Sequence, residues 1–73
     1  MWHNNVTVNR TFSTKDSQNC WAIINTISGW KKVKTGSTDG VTNVFVTLCA
    51  AKANSRNVDV FIVDDQIERV TLK

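Results

Sequence analysis

The hydrophobic positions between residues 37 and 54 predict an amphipathic helix. Apolar side chains recur there at i, i+3, i+4, i+7 and i+8, which is the template of one buried helical face. Short polar residues, which cap helix N-termini well, come directly before this pattern, and Asn54 and Ser55 follow it. We therefore predict a helix at about residues 39–54. Its core-facing stripe consists of Val41, Val44, Phe45, Leu48 and Cys49.

A period of two residues predicts strands on the C-terminal side of this helix. Val58, Val60 and Ile62 lie on one face of a strand at residues 57–63. An Asp-Asp pair then turns the chain, and residues 66–72 form a second strand. The helix is therefore followed by two consecutive strands.

The N-terminal segment alternates in the same way. Val6, Val8 and Phe12 share one side of a strand whose other side is polar, so they are predicted to face the core. Arg10 interrupts the apolar side. This interruption predicts that the strand bends at that point or lies at the edge of a sheet.

Residues 20–27 admit two interpretations. The polar residues at the start of this region could cap a helix at about residues 17–28. The segment 23–27 is, however, mostly β-branched, and β-branched residues lose side-chain freedom in a helix. We therefore predict a strand here and a further short strand at residues 30–34.

The predicted order of elements is three strands, one helix and two strands. A small five-stranded sheet can bury its apolar face only by closing on itself or by being capped. A helix between the third and fourth strands would plug one end of a closed barrel, as in the OB fold. We therefore predict a mainly β, OB-like five-stranded barrel that forms a single domain over residues 1–73. The alternative is an α+β layer in which residues 17–28 are helical.

A second stripe on the predicted helix carries no charge, although it lies beside the core-facing stripe. A solvated helix face normally carries charged or amide side chains. We therefore predict that this stripe packs against other copies of the chain in a closed homo-oligomer. The simpler alternative is that the helix and the two strands after it are only half of a small core. The second stripe consists of Thr42, Val46, Ala50 and Ala53.

Composition and charge restrict the class of protein. The chain has 73 residues, of which 41% are hydrophobic and 21% are charged, as is typical of a globular domain. No apolar run is long enough to cross a membrane, and no signal peptide is present, so we expect an exported protein to be seen here in its mature form. The net charge is +3, and residues 1–36 carry five Lys or Arg against one Asp. That asymmetry would suit an anionic partner.

Two cysteines, Cys20 and Cys49, allow one intramolecular pairing. Small domains often rely on such a bridge because their cores are marginal. We predict a Cys20–Cys49 disulfide, which would contribute about 3 kcal/mol in an oxidising compartment. The alternative is two buried free thiols, since cysteine is also a good core residue.

No set of residues typical of catalysis is present. His3 is the one histidine and lies near the N-terminus, where a general base or metal ligand would lack a fixed partner. His3 and the two cysteines do not have the spacing of zinc ligands, and there is no glycine-rich phosphate loop. We therefore predict a non-enzymatic protein that needs no metal or other cofactor.

Tryptophan and lysine are the candidate ligand-binding residues. Trp21 lies in an apolar run and is predicted to belong to the core. Trp30 lies between a glycine and two lysines, where its ring could stack on a sugar or a nucleobase. We predict that Trp30, Lys31, Lys32 and Lys34 contact a ligand, with the lysines pairing with sialic acid or phosphate. The alternative is a tryptophan that covers the rim of the core, with lysines extended along it into water.

The C-terminal half of the chain resembles the small B subunits of bacterial AB toxins of the Shiga and subtilase types. The resemblance lies in residues 44–62, where a helix ends in an alanine-containing turn before a Val-x-Val strand, and in the closing strand at 67–72. The tryptophan that Shiga-type subunits place at the start of the helix has no match at Val41 or Thr42. A Cys20–Cys49 bridge would also join different elements from those that the usual disulfide of this family joins.

The resemblance implies an OB-fold protomer, a ring of five with the helices lining a central pore, and binding of cell-surface glycans. We therefore expect a secreted or periplasmic homopentamer that binds a glycan, does not insert into membranes, and could carry an A-type subunit. Two alternatives stay open. One is a nucleic-acid-binding OB domain that uses Trp30 and the lysines beside it, and the other is a structural, self-assembling subunit without a small ligand.

Overall fold

The chain folds into a closed five-stranded β-barrel with one helix, as described by a computed structural model. The model describes the backbone of residues 1–73 and the side chains of residues 1–37 and 39–73. The elements are β1 (Trp2–Ser13), β2 (Cys20–Ile24), β3 (Trp30–Val33), α1 (Thr38–Ala53), β4 (Asn57–Val63) and β5 (Gln66–Leu72). The strands follow one another around the barrel in the order β1-β2-β3-β5-β4, and only β3 and β5 pair in parallel.

This architecture confirms the predicted OB-like fold. The helix lies between the third and fourth strands, as the order of hydrophobic patterns predicts. Residues 20–24 form β2, which pairs with β1 on one side and with β3 on the other, so the alternative with a helix at about 17–28 is wrong. Ile23 and Ile24 are therefore accommodated in a sheet, where β-branched side chains lose less rotational freedom. Residues 25–27, which the prediction also placed in this strand, lie beyond its end in the connection to β3.

The capping residues place the ends of α1 within one residue of the predicted range 39–54. The Ser37 hydroxyl accepts a hydrogen bond from the Gly40 N–H at 3.2 Å, which satisfies a donor that the first helical turn leaves free. At the other end, the Asn54 side-chain amide donates to the Ala50 carbonyl at 2.8 Å. Local sequence thus specifies both ends of the helix.

The hydrophobic core fills the barrel and the space under α1. Alternate side chains of the strands point inward, as the period of two requires. The predicted core stripe of the helix is confirmed at Val41 and Leu48, and Val44, Phe45 and Cys49 are half-buried. The buried hydrophobic residues are Val6, Val8, Ala22, Ile24, Val33, Val41, Leu48, Ala51, Val58, Val60 and Ile67.

Strand β1 is irregular at two points. Its register shifts between His3 and Val6 where it pairs with β4, and between Val8 and Arg10 where it pairs with β2. An extra residue in a strand moves every following side chain to the opposite face. Phe12 was predicted to face the core with Val6 and Val8, but it lies on the outer face and is 50% exposed.

Both cysteines are free thiols in the structure, so the predicted Cys20–Cys49 disulfide is not formed there. Cys20 packs against the core from β2, and Cys49 lies on the half-buried face of α1, so each serves as an apolar side chain. Burial raises the pKa of the Cys20 thiol, and the charge of the nearby Cys49 raises it further. Both effects keep Cys20 protonated and limit its reactivity.

Candidate ligand-binding face

The register shift in β1 aligns two rows of outward-facing side chains across β1, β2 and β3. Directly paired residues share a face of the sheet, and the inward positions of β2 are occupied by Ala22 and Ile24. One row is Phe12, Trp21 and Lys32, and the other is Arg10, Ile23 and Trp30. We call these six residues the aromatic face. It lies on the outside of the closed barrel.

Three aromatic rings form a shallow depression on this face. Phe12 and Trp30 meet edge to face, with ring centroids 6.0 Å apart and planes inclined at 63°. They are 50% and 41% exposed, respectively. Together with Trp21 and Asn19 they line a cavity of about 430 Å³, which we call the aromatic bowl.

Trp21 belongs to this bowl, so its predicted place in the core is wrong. Its neighbour Ala22 takes the inward position, which turns the indole outward because successive side chains of a strand point to opposite faces. The Trp21 Nε1–H donates to Asn19 Oδ1 at 2.9 Å, and the Asn19 amide donates to Thr14 Oγ1 at 2.8 Å. The loop between β1 and β2 therefore holds the indole from one side.

The same loop is tied to the connection between β3 and α1. The Gly36 N–H, in the connection between β3 and α1, donates to Gln18 Oε1 at 2.7 Å. The Thr14 hydroxyl donates to Asp16 Oδ2 at 3.2 Å inside the loop. These bonds fix a polar segment that contributes little to the core, and they set the position of Asn19 beside the bowl.

The predicted lysines separate into two groups. The Lys32 ammonium lies 5.5 Å from the centroid of the Trp21 ring, on the aromatic face. Lys31 lies on the opposite face of β3 and bonds Asp65 at 2.6 Å, and Lys34 bonds Glu68 at 3.2 Å. Lys32 is thus the predicted lysine that the structure places on the same face as Trp30.

The predicted second stripe of α1 lies on the outer side of the helix. Val46 is 60% exposed, which is unusual for a valine in the middle of a helix. Thr42 and Ala53 are exposed and Ala50 is half-buried. The stripe therefore remains uncovered in a single copy of the chain.

A second cluster of rings lies elsewhere on the barrel, on the outer face of β1, β4 and β5. Trp2 and Phe61 have ring centroids 5.1 Å apart, and the Arg69 guanidinium lies 5.5 Å from the centroid of the Phe61 ring. Trp2 is 43% exposed, nearly as much as Trp30. This pair lines none of the cavities described, which distinguishes it from the aromatic bowl.

The described side chains contain no group of three His, Cys, Asp or Glu residues that could hold a metal ion. Helix α1, as far as the structure describes it, also lacks the length and apolar character that a bilayer crossing requires. The absence of an enzyme activity and of a cofactor stays a prediction from the sequence.

No protein-family model, curated protein or solved structure matches the chain. The structure supports the OB-like barrel that the toxin B-subunit resemblance implies, and identifies no family. Phe12 and Trp21 are the candidate site residues that the sequence pattern assigned to the core. For Phe12, the sign in the sequence was Arg10, which interrupts the apolar alternation of β1 at the register shift. No such sign marked Trp21.

Proposed function

We propose that the chain is a non-enzymatic binding subunit that recognises glycans through its aromatic face and acts as a ring-shaped homo-oligomer. The observation that carries the proposal is the aromatic bowl. It presents Phe12 and Trp30 to solvent at 50% and 41% exposure, on the outer face of a hydrogen-bonded sheet and beside the polar Asn19. Apolar ring faces bordered by a few fixed polar groups are typical of small-ligand sites, and a sugar ring can stack on an indole.

The charges near the bowl favour a glycan over a nucleic acid. Lys31 and Lys34 are paired with Asp65 and Glu68, so a phosphate would have to compete with a carboxylate for each of them. Nucleic-acid binding depends on several phosphate contacts by free cations. The aromatic face carries only two cations, Arg10 and Lys32, at opposite corners of its two rows. Two cations would suit a glycan that carries a single carboxylate, such as one ending in sialic acid.

The exposed stripe of α1 supports the oligomer. A valine that is 60% exposed at Val46 would gain about 1.5 kcal/mol on burial. Contacts between different patches of identical subunits form a ring when the rotation closes. The toxin B-subunit resemblance adds that the ring is a homopentamer with the helices around a pore, that the protein is exported, and that an A-type subunit is its partner. The aromatic face is formed by β1–β3 and the stripe by α1, so the two surfaces share no residue.

The test is calorimetric titration of the chain with sialyllactose, with lactose and with a single-stranded oligothymidine. We expect sialyllactose to bind, and the Trp30→Ala variant to weaken that binding by at least about tenfold, since truncating a central aromatic anchor is costly. The matched control is Trp2→Ala, because Trp2 is equally exposed but lies outside the bowl. Absence of binding to both sugars, or equal binding by Trp30→Ala, would contradict the proposal.

A nucleic-acid-binding OB domain is the second candidate, because aromatic rings and cations share one face of the barrel. Tight binding of oligothymidine that weakens steeply between about 50 and 200 mM salt would favour it. Binding of a sugar that carries one carboxylate should change much less over that range. A structural subunit without a small ligand is the third candidate, and it predicts oligomers that bind none of the three probes.

A further inference from the structure

Asn19 connects the aromatic bowl to the loop between β1 and β2. Its Oδ1 accepts the Trp21 indole N–H at 2.9 Å, while its Nδ2 donates to Thr14 Oγ1 at 2.8 Å. The Thr14 hydroxyl also interacts with Asp16, as donor to the carboxylate and as acceptor of the Asp16 N–H, both at 3.2 Å. The oxygen of the Asn19 amide therefore accepts a hydrogen bond while its nitrogen donates one, and together these bonds fix the orientation of the amide.

The hydrogen bond decides which part of Trp21 a ligand can reach. An indole has a single N–H donor, and Asn19 occupies it. Trp21 therefore offers only its ring to the bowl. A half-exposed indole without this bond could adopt other rotamers about its side-chain torsions. The partner of Trp21 across β2 and β3 is Lys32, whose ammonium lies 5.5 Å from the ring centroid, so a turn of the indole would also change the position of that cation relative to the ring.

We propose that Asn19 is a positioning residue of the glycan site, which holds the Trp21 ring in place before a ligand binds. This inference rests on the proposed function. Sites whose side chains are locked by neighbouring hydrogen bonds bind more tightly because less conformational entropy is lost on binding. Asn19 acts through Trp21, and the loop that carries it contributes to affinity without stacking on the ligand.

The test uses three single variants in the β1–β2 loop. Asn19→Leu keeps the side-chain size and removes both hydrogen bonds. Thr14→Val removes the hydroxyl that holds the Asn19 amide. Ser17→Ala is the matched control, because Ser17 is exposed in the same loop and lies two residues from Asn19. Each variant is made in the wild-type chain and in a Trp21→Phe background, where an aromatic ring remains but the indole N–H is absent.

Calorimetry gives the affinity of every variant for sialyllactose. In the variants that keep Trp21, nuclear magnetic resonance also follows hydrogen exchange of its Nε1–H in the protein without ligand. We expect Asn19→Leu to accelerate the exchange and to weaken sialyllactose binding about fivefold, the effect of one lost hydrogen bond. Thr14→Val should have a smaller effect and Ser17→Ala none. In the Trp21→Phe background, Asn19→Leu should cause no further loss.

The outcomes separate this inference from the proposed function. If Asn19→Leu weakens binding equally in both backgrounds, Asn19 does not act through Trp21 and the inference is wrong. If Trp30→Ala abolishes sialyllactose binding while Asn19→Leu leaves both the affinity and the exchange unchanged, the inference is again wrong and the proposed function stands. If wild-type protein does not bind sialyllactose, the acidic-glycan assignment of the site fails, and the indole exchange rates alone show whether Asn19 holds the Trp21 ring.

Discussion

Phe12 and Trp30 meet edge to face with their ring centroids 6.0 Å apart, although their strands β1 and β3 are separated by β2. Two features make this contact. The register shift after Val8 turns Phe12 to the outer face, and the large rings then lean toward each other above the β2 strand that separates them. The contact encloses the aromatic bowl on two sides. Because both rings belong to the chain itself, the strength of the Phe12–Trp30 contact can be measured without any ligand.

The first prediction is an energetic coupling between these two rings. Edge-to-face aromatic pairs contribute about 0.5–1.5 kcal/mol beyond the area that they bury. Urea denaturation measures the loss of unfolding free energy in each single variant and in the double variant Phe12→Ala/Trp30→Ala. The loss in the double variant should be about 0.5–1.5 kcal/mol smaller than the sum of the two single losses. Trp2→Ala with Trp30→Ala is the control pair, because Trp2 packs on Phe61 instead. Additive losses for Phe12 and Trp30 would show that the rings do not interact in solution.

The second prediction separates two neighbouring lysines. Lys32 lies over the Trp21 ring, while Lys31 is bonded to Asp65 at 2.6 Å. Lys32→Met should weaken binding of sialyllactose about fivefold, because the carboxylate of the sugar loses a charged partner. Lys31→Met should leave that binding nearly unchanged. Both affinities are measured by calorimetry.

The neutral sugar lactose is the control for Lys32. If lactose and sialyllactose lose the same affinity in Lys32→Met, then Lys32 contributes packing and not charge. If Lys31→Met has the larger effect, the ligand lies at the end of the barrel that carries Asp65 and not on the aromatic face. Either result would require a different pose for the sugar.

The sequence predicted the elements of this protein better than it predicted its site. Helix ends depend on neighbouring residues such as Ser37, whose hydroxyl caps α1, so a local pattern is sufficient. The direction of Phe12 depends on how β1 pairs with β2, and a single unpaired residue reverses it. Arg10, at an apolar position, was the visible sign of that irregularity. The pairing of Lys31 with Asp65, 34 residues away, depends on the tertiary fold.

The third prediction concerns two helical residues of opposite environment. Leu48 is fully buried in the core between α1 and the barrel, whereas Val46 is 60% exposed on the same helix. Leu48→Ala should reduce the free energy of unfolding by about 2–5 kcal/mol, because it leaves a cavity in a small core. Val46→Ala should change that free energy of the monomer by less than about 0.5 kcal/mol. Urea denaturation at low protein concentration measures both, and equal losses would show that α1 packs differently in solution.

The fourth prediction follows from the raised pKa of the Cys20 thiol, which lies above the ordinary value of 9.0. The folded protein holds this proton more strongly than the unfolded chain does. The resulting stability is therefore fully present below the unfolded pKa and is lost as the pH rises through the folded pKa. Wild-type protein should lose more unfolding free energy above pH 9.0 than Cys20→Ser does. Identical pH profiles for the two proteins would show that folding does not raise the pKa of the Cys20 thiol.

The fifth prediction concerns the ring and the α1 stripe of Thr42, Val46, Ala50 and Ala53. If copies of the chain pack through this stripe, Val46→Glu places like charges around the shared interface and should dissociate the ring. The fold should survive, because Val46 is 60% exposed and touches the core little. Leu72→Glu is the matched control, since Leu72 is a 42% exposed apolar residue on β5 and not on the helix.

Light scattering at micromolar concentration measures the assembly of the wild type and both variants. We expect the wild type and Leu72→Glu to have the mass of a closed ring, and Val46→Glu to have a mass near the 8.2 kDa of one chain. Circular dichroism checks that all three proteins keep the same fold. A wild-type mass near one chain would exclude the ring. A wild-type dimer that Val46→Glu dissociates would retain the helix interface, but it would remove the pentameric, toxin-like arrangement, because an isologous pair uses up the stripe on both subunits.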